Sequence, residues 1–214
     1  GWRFVSKTKI VRGLVVGMVG AFMAAGAVIG LARTFVSDLG GGDAAYGVLF
    51  GSVFTGLAAG IAFGPRVLSQ FSRRRLFGAS LAVAGFFLVL LAVINNLVLA
   101  VLITIILGAF SGISWVTGFT MLGMEVENEV RGRTFAFVQS LIRVVLVAVL
   151  AIAPLIAAAV GKHRYTFYNS EVEYNGAAIT ILIAGVLAGL IGIIRSEEHT
   201  SELQSHSFIS YAVF

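Results

Sequence analysis

Residues 84–105 read AGFFLVLLAVINNLVLAVLITI, two apolar runs that are separated only by Asn95 and Asn96. Each run extends outward to about 20 residues, the length that an α-helix needs to cross the hydrocarbon core of a bilayer. Neither run shows the alternation of apolar and polar residues that a half-buried strand requires. Two residues are too few for anything but a tight turn, so we expect a hairpin of two membrane-spanning helices.

The composition of the whole chain supports a membrane protein. Of its 214 residues, 58% are hydrophobic and 12% are charged, and the mean hydropathy is +0.99. A soluble domain of this length could not bury so much apolar surface. The chain has no cysteine, which excludes a disulfide framework and a thiolate metal site. Its net charge of +5 comes from short basic clusters beside apolar runs, which is typical of membrane topology rather than of nucleic-acid binding.

The same length rule, applied along the chain, predicts an all-α membrane protein with six spanning helices. Buried parallel strands could also be continuously hydrophobic, but such strands are much shorter than these runs. The segment 161–175 is polar and aromatic, which predicts a loop at the membrane interface. The expected helices cover residues 10–35, 44–64, 76–94, 97–122, 134–160 and 176–194.

The basic residues predict the orientation of these helices, because lysine and arginine accumulate in cytoplasmic loops. Ten basic residues fall on one face and three on the other, so the N-terminal segment and the loops 64–75 and 123–133 are expected to be cytoplasmic. The segment 161–174 is then external. The ten are Arg3, Lys7, Lys9, Arg12, Arg66, Arg73, Arg74, Arg75, Arg131 and Arg133, and the three are Arg33, Lys162 and Arg164.

The final stretch, RSEEHTSELQSHSFISYAVF (residues 195–214), is polar and aperiodic. It resembles a translated sequencing adapter, so we expect residues 195–214 to be an artefactual or disordered tail. On this interpretation the natural chain continues beyond Ile194. The chain also lacks an initiator methionine, and we expect it to be a fragment at both ends.

Two loops carry a resemblance to a known family. GPRVLSQFSRRRLF (residues 64–77) keeps Gly64, Arg73 and Arg74 of the pattern G-x-L-x-D-R-x-G-R-K, but it lacks the aspartate and has Ser72 in place of the second glycine. EVENEVRGRTFAFVQS (residues 125–140) is similar to the acidic-then-RGR loop before the eleventh helix of efflux-type members. The chain therefore resembles the C-terminal six-helix half of a major facilitator superfamily transporter.

YGVLFGSVFTGL (residues 46–57) and SWVTGFTMLG (residues 114–123) are most similar to the transporter part of actinobacterial fusions with a thymidylate kinase. The resemblance implies efflux by alternating access in the bacterial inner membrane, with both ends of the fragment cytoplasmic. The implied partners are the lipid bilayer, an N-terminal six-helix half and an unknown small-molecule solute. The alternative is a non-transporting anchor or scaffold for a fused kinase domain.

No enzymatic motif appears in the chain, and no cofactor or metal is expected. A phosphate-binding loop needs a Gly-Lys-Ser/Thr sequence, whereas His163 follows the one Gly-Lys pair, Gly161 and Lys162. The chain itself is therefore not expected to be an enzyme.

Arg143 is the strongest candidate for a solute pathway, because an ionisable group inside an apolar run is expensive. Gln139 lies one turn earlier on the same helix face. The alternative is that Arg143 only snorkels to the inner interface. The fourth predicted helix carries a polar stripe that could face a cavity, although hydrogen bonding between helices explains it equally well. Its members are Ser111, Ser114, Thr117 and Thr120, with Trp115 beside them. The expected cytoplasmic gating residues are Gly64, Arg73, Arg74, Arg75, Arg131, Gly132 and Arg133.

Glycines recur at a spacing of four in several of the predicted helices, including Gly56, Gly60 and Gly64 and the pair Gly108 and Gly112. This small-x-x-x-small pattern lets helix backbones approach closely. We therefore interpret these glycines as packing surfaces.

Overall fold

The computed structural model describes residues 8–67, 70–167 and 170–211, which form six α-helices and one two-stranded hairpin. Strands β1 (Lys162–Phe167) and β2 (Ser170–Asn175) pair antiparallel between the last two helices. The helices are α1 (Lys9–Asp38), α2 (Asp43–Val67), α3 (Arg73–Val93), α4 (Leu97–Glu125), α5 (Asn128–Val160) and α6 (Gly176–Tyr211).

The six-helix fold class predicted from the sequence is confirmed. Each helix contains a segment that is long and apolar enough to cross a membrane. The segment between α5 and α6 was expected to be a loop, and its backbone forms a β-hairpin instead. Helix α6 continues past residue 194, where the predicted helix ends, to Tyr211, and its apolar span ends at Arg195.

The tight turn at Asn95 and Asn96 is also confirmed. Helix α3 ends at Val93 and α4 begins at Leu97, with only residues 94–96 between them. The side chain of Asn96 accepts a hydrogen bond from the backbone N–H of Leu99 (3.1 Å). This bond satisfies one of the amides that every helix N-terminus leaves unpaired, and so it fixes the start of α4.

Glycines bring the backbones of α2 and α4 into contact. A Cβ atom at Gly60 would overlap the carbonyl oxygen of Ala109, and a Cβ atom at Gly108 would overlap a carbonyl oxygen of α2. Gly56 and Gly112 face the opposite backbone in the same way. The interpretation of these glycines as packing surfaces is confirmed.

A second glycine contact joins α3 and α6. Gly85 lies against the backbone of Gly189, and Gly192 lies against the backbone of Ala82. We did not predict this contact from the sequence. Both close helix pairs therefore join helices that are not consecutive in the chain.

Buried apolar side chains form two clusters towards opposite ends of α1. One cluster includes Leu31, Leu91 and Ile181, and the other includes Val11 and Val138. The middle of α1 lies between them and contributes to the cavity described below.

Two completely buried threonines, Thr104 of α4 and Thr134 of α5, differ in their hydrogen bonding. Thr104 Oγ1 lies 2.5 Å from Ser52 Oγ of α2, so a hydroxyl pair joins the two helices. Thr134 Oγ1 has no hydrogen-bond partner within the described part of the chain. Burial of a hydroxyl without a partner costs free energy that a valine of similar shape would not cost.

We expect Thr134→Val to raise the free energy of unfolding by about 1 kcal/mol and Thr104→Val to lower it by about 1 kcal/mol. The two substitutions are chemically identical and differ only in whether a hydrogen bond is lost. Unfolding of the purified protein in detergent micelles measures both changes. A Thr134→Val variant that is destabilised as much as Thr104→Val would contradict this account.

Candidate functional site

An apolar cavity of about 280 Å³ lies among α1, α2, α3 and α4, and Ala188 of α6 also lines it. Phe22 of α1, Phe50 of α2 and Trp115 of α4 contribute to its walls. Among the described residues that line the cavity, none is charged, and the hydroxyl groups belong to Ser111 and Ser114. A concave apolar wall with a few convergent polar groups is typical of a small-molecule site.

A row of aromatic rings leads from this cavity to α5. The ring of Phe22 lies 4.9 Å from that of Trp115, and Trp115 lies 5.4 Å from Phe119, measured between centroids. Phe119 in turn lies 6.2 Å from Phe135 of α5. All three distances fall in the range of favourable aromatic pairs. The row therefore connects the cavity wall to the helix that carries Arg143.

The polar stripe predicted on α4 divides into two groups. Thr120 donates a hydrogen bond to the carbonyl of Val116, one turn earlier in its own helix (2.7 Å). Ser114 and Thr117 are buried, with 3% and 5% exposure, and neither hydroxyl bonds to any residue that the structure describes. Ser114 lines the cavity, whereas Thr117 does not. Hydrogen bonding between helices therefore does not account for Ser114.

Arg143 and Gln139 are exposed on α5, whereas the neighbouring Val138 and Ile142 are buried. Neither Arg143 nor Gln139 lines the cavity. Only 11% of the apolar segment of α5 is buried, against 56% of that of α1. Hydrocarbon solvates a guanidinium poorly, so the exposed face of α5 needs water or a polar partner around Arg143.

The two expected gating loops meet at the predicted cytoplasmic ends of α3 and α4. Arg74 forms an ion pair with Glu125 (2.8 Å), and both side chains are about one-third exposed. Arg73 contacts the sulfur of Met124, and Arg131 donates to the carbonyl of Val126. The arginines were predicted from the sequence, whereas Glu125 as the partner of Arg74 was not.

The structure corrects the description of these segments as loops. Residues 73–75 form the first turn of α3, and residues 131–133 lie within the first two turns of α5, because both helices begin earlier than the apolar pattern indicated. Glu129 in the first turn of α5 favours this earlier start through the helix dipole. Gly64 belongs to α2, where it packs against Ile113.

At the opposite end of the bundle, Arg33 of α1 pairs with Asp43 of α2 across the glycine-rich turn (2.8 Å). Both side chains are about four-fifths exposed, so solvent screens the pair. Among the described residues, no group of three or more histidine, aspartate or glutamate side chains could hold a metal ion.

The basic residues predict that Ser72 is cytoplasmic and that Ala44 is external. Both positions are exposed, and the absence of native cysteine means that each single-cysteine variant carries one thiol. We expect an impermeant maleimide to label Ala44→Cys far more strongly than Ser72→Cys in intact cells, and to label both after lysis. Preferential labelling of Ser72→Cys in intact cells would reverse the topology.

Several residues that line the cavity were not predicted from the sequence. Phe22, Phe50 and Phe119 are three of 17 phenylalanines in the chain, and most apolar helices carry such residues for packing alone. The spacing of four between Trp115 and Phe119, and between Phe50 and Phe54, is the signal that could have indicated aromatic contacts along one helix face.

The profile of the Major Facilitator Superfamily matches residues 13–208. This range runs from the first turns of α1 into the extended part of α6, and it includes the cavity and Arg143. A search of curated proteins finds no match.

Proposed function

Because the chain belongs to the Major Facilitator Superfamily, we propose that it forms the C-terminal six-helix half of an efflux-type secondary transporter that works by alternating access. Family membership makes it a multi-pass membrane protein of a solute-transporting family. We place it in a bacterial inner membrane with both ends of the fragment cytoplasmic.

The observation that carries this proposal is the exposed face of α5. Arg143 lies eight residues, or about 12 Å, beyond Phe135, and the continuous apolar run of residues 144–160 follows it. Gln139 and Ser140, about one turn earlier, are exposed like Arg143, so polar side chains share an uncovered side of α5. A lipid-facing arginine would be costly there, so the exposed face is better suited to a water-filled pathway.

The same face supports the proposal of a second, N-terminal half. Arg143 and Gln139 leave their polar groups uncovered on the least buried of the six spanning helices. A second six-helix half against this face would enclose the pathway and keep lipid away from it. In this arrangement Arg143, Gln139 and Ser114 would line the solute route with Trp115 and Thr117.

We assign the cytoplasmic gate to the segments that contain Gly64, residues 73–75 and residues 131–133. The ion pair between Arg74 and Glu125 supports this assignment, because it ties the start of α3 to the end of α4. The pair is partly exposed, with side chains that are 36% and 26% accessible, so solvent screens it and a modest change in hydration or partner can break it. Such a contact suits an element that opens and closes.

The complete gene product, expressed in a host without it, tests the proposal in inverted membrane vesicles. We expect at least one solute from a protein-free cell extract to accumulate in energised vesicles, as detected by mass spectrometry against vesicles without the protein. Collapse of the ion gradients should abolish the accumulation. If no solute accumulates while the protein is folded and correctly oriented, the chain is better explained as a membrane anchor or scaffold for a fused domain.

A further inference from the structure

We infer that the apolar cavity and Arg143 form one site, and that its ligand is a small aromatic carboxylic acid in its anionic form. This inference deepens the proposed function, since it names the class of solute. The proposed site combines the cavity among α1, α2, α3 and α4 with Arg143 of α5. The aromatic ring of the ligand would enter the cavity, and its carboxylate would meet the guanidinium of Arg143.

The cavity is suited to an aromatic ring. Its volume of about 280 Å³ exceeds the roughly 150 Å³ of an apolar cavity that holds benzene in another protein. Phe22 and Trp115 both line it, and their rings contact each other. A third aromatic ring can pack against this pair in an offset or edge-on arrangement. Ser114 is 97% buried, lines the cavity and bonds to no described residue, so its hydroxyl remains available to a ligand.

Contacts of α5 with α4 place Arg143 at the depth of this cavity. Phe135 lies beside Phe119, and α4 and α5 run in opposite directions across the membrane. Moving eight residues from Phe135 along α5 leads to Arg143, and moving eight residues back from Phe119 along α4 leads to Ser111. Both steps rise about 12 Å, so Arg143 is level with the hydroxyl-bearing part of the cavity wall.

Contacts of α5 with α1 give the same depth independently. Gly26 packs against Leu146 and Val149, and α1 and α5 run in the same direction. Phe22 precedes Gly26 by four residues on α1. On α5, Arg143 precedes the midpoint of Leu146 and Val149 by about the same number of residues. Phe22 contacts Trp115 in the cavity wall, so Arg143 is level with this aromatic pair.

The mouth of the cavity lies next to α5. Ala25 and Ile29 line the cavity and are exposed, so they lie at its opening. Gly26 follows Ala25 and Gly30 follows Ile29, and each step turns the side chain by about 100° around the axis of α1. Both glycines pack against α5. The exposed α1 surface at the mouth therefore continues onto α5, where Arg143 is exposed.

The apolar cavity and the nearby guanidinium of Arg143 indicate which class of ligand the site would bind. An uncharged aromatic molecule would fill the cavity but leave the guanidinium unpaired, and an inorganic anion would pair with Arg143 but leave the cavity empty. A carboxylate on an aromatic ring satisfies both, because guanidinium donates two parallel hydrogen bonds to a carboxylate. Hydrogen bonds of this charged kind are roughly twice as strong as neutral ones.

Tryptophan fluorescence can report binding directly, because the chain has only two tryptophans, Trp2 and Trp115. We would use Trp2→Phe, in which Trp115 is the sole reporter, reconstituted in lipid nanodiscs. The probes are 4-nitrobenzoate and its neutral counterpart 4-nitrobenzyl alcohol, both quenchers of indole. Cyclohexanecarboxylate, an anion without an aromatic ring, serves as a competitor.

We expect saturable quenching by 4-nitrobenzoate at about 10-fold lower concentration than by 4-nitrobenzyl alcohol, the ratio that one charge-assisted contact provides. Arg143→Gln should remove this preference without changing the affinity for the alcohol. Arg12→Gln, which removes a charge from the far end of α1, should retain the preference. Phe22→Leu should weaken both probes, and cyclohexanecarboxylate should compete poorly.

Equal affinity of the parent chain for the two probes would overturn the role of Arg143, and this comparison needs no variant that could misfold. An absence of saturable quenching, with the protein monodisperse and helical, would overturn the cavity as a binding site. The quenching assay measures binding, whereas the vesicle assay measures transport, so the two proposals can fail independently. Selective binding without flux in the vesicle assay would leave the site intact and remove the transporter, and flux without selective binding would do the reverse.

Discussion

Gly60→Ala will destabilise the protein by about 3 kcal/mol, although alanine is the better helix former. The added Cβ would overlap the carbonyl oxygen of Ala109, which belongs to the backbone of α4 and cannot rotate away. The two helices must therefore separate along their contact. Their separation also loosens the hydroxyl pair of Ser52 and Thr104, which joins the same helices.

Gly51→Ala is the matched control for this prediction. Gly51 lies on the same helix but is exposed, and a Cβ atom there meets nothing within 4 Å. Its replacement should leave the protein unchanged or stabilise it by up to about 1 kcal/mol through helix propensity. Unfolding of both variants in detergent micelles compares them. Equal stability of Gly60→Ala and Gly51→Ala would show that the backbone contact is dispensable.

Arg143→Gln is expected to reduce transport of the solute identified in the vesicle assay by at least about 10-fold, because the proposed pathway would lose its positive charge. Arg143→Lys should restore only part of the flux, since lysine keeps the charge but loses the planar, five-donor group that holds a carboxylate at two points. Gln139→Ala should have a smaller effect, because glutamine contributes neutral hydrogen bonds alone.

The snorkelling alternative makes the opposite forecast for lysine. A lysine side chain reaches the interface as well as an arginine does, so Arg143→Lys would then transport at the parental rate. Flux is measured at matched expression, with Arg12→Gln as the control for loss of a positive charge elsewhere. Parental flux in Arg143→Gln, Arg143→Lys and Gln139→Ala would remove this residue pair from the pathway.

The number and order of the helices could be predicted from the sequence because crossing a bilayer imposes a length on each apolar run. The hairpin at Asn95 and Asn96 is the clearest case. The glycine spacing predicted close packing, yet it could not indicate which helices pair, because a small face is complementary to any other small face. Only the structure pairs Gly60 with α4 and Gly85 with α6.

The sequence predicted the polar members of the candidate site and Trp115 beside them, but not the phenylalanines. Arg143 stood out because a charge in an apolar run is rare, whereas Phe22 and Phe50 resemble the other aromatic residues of the chain. The cavity forms where five helices meet, and hydropathy along one helix carries no information about the others. The helical starts at Arg73 and Asn128 were missed for a related reason, since hydropathy marks the hydrocarbon core and helices continue past it.

The pairing of non-consecutive helices has a consequence for biogenesis. Helix α2 ends at Val67, but its partner α4 is complete only at Glu125, so the ribosome adds about 60 residues before the two glycine faces can meet. At about 5–20 residues per second, the glycine face of α2 waits in the translocon or in lipid for several seconds. Helix α3 waits longer still, until α6 has been made. A nascent chain arrested before α4 should therefore hold α2 without its partner, which makes the early intermediate a target for membrane quality control.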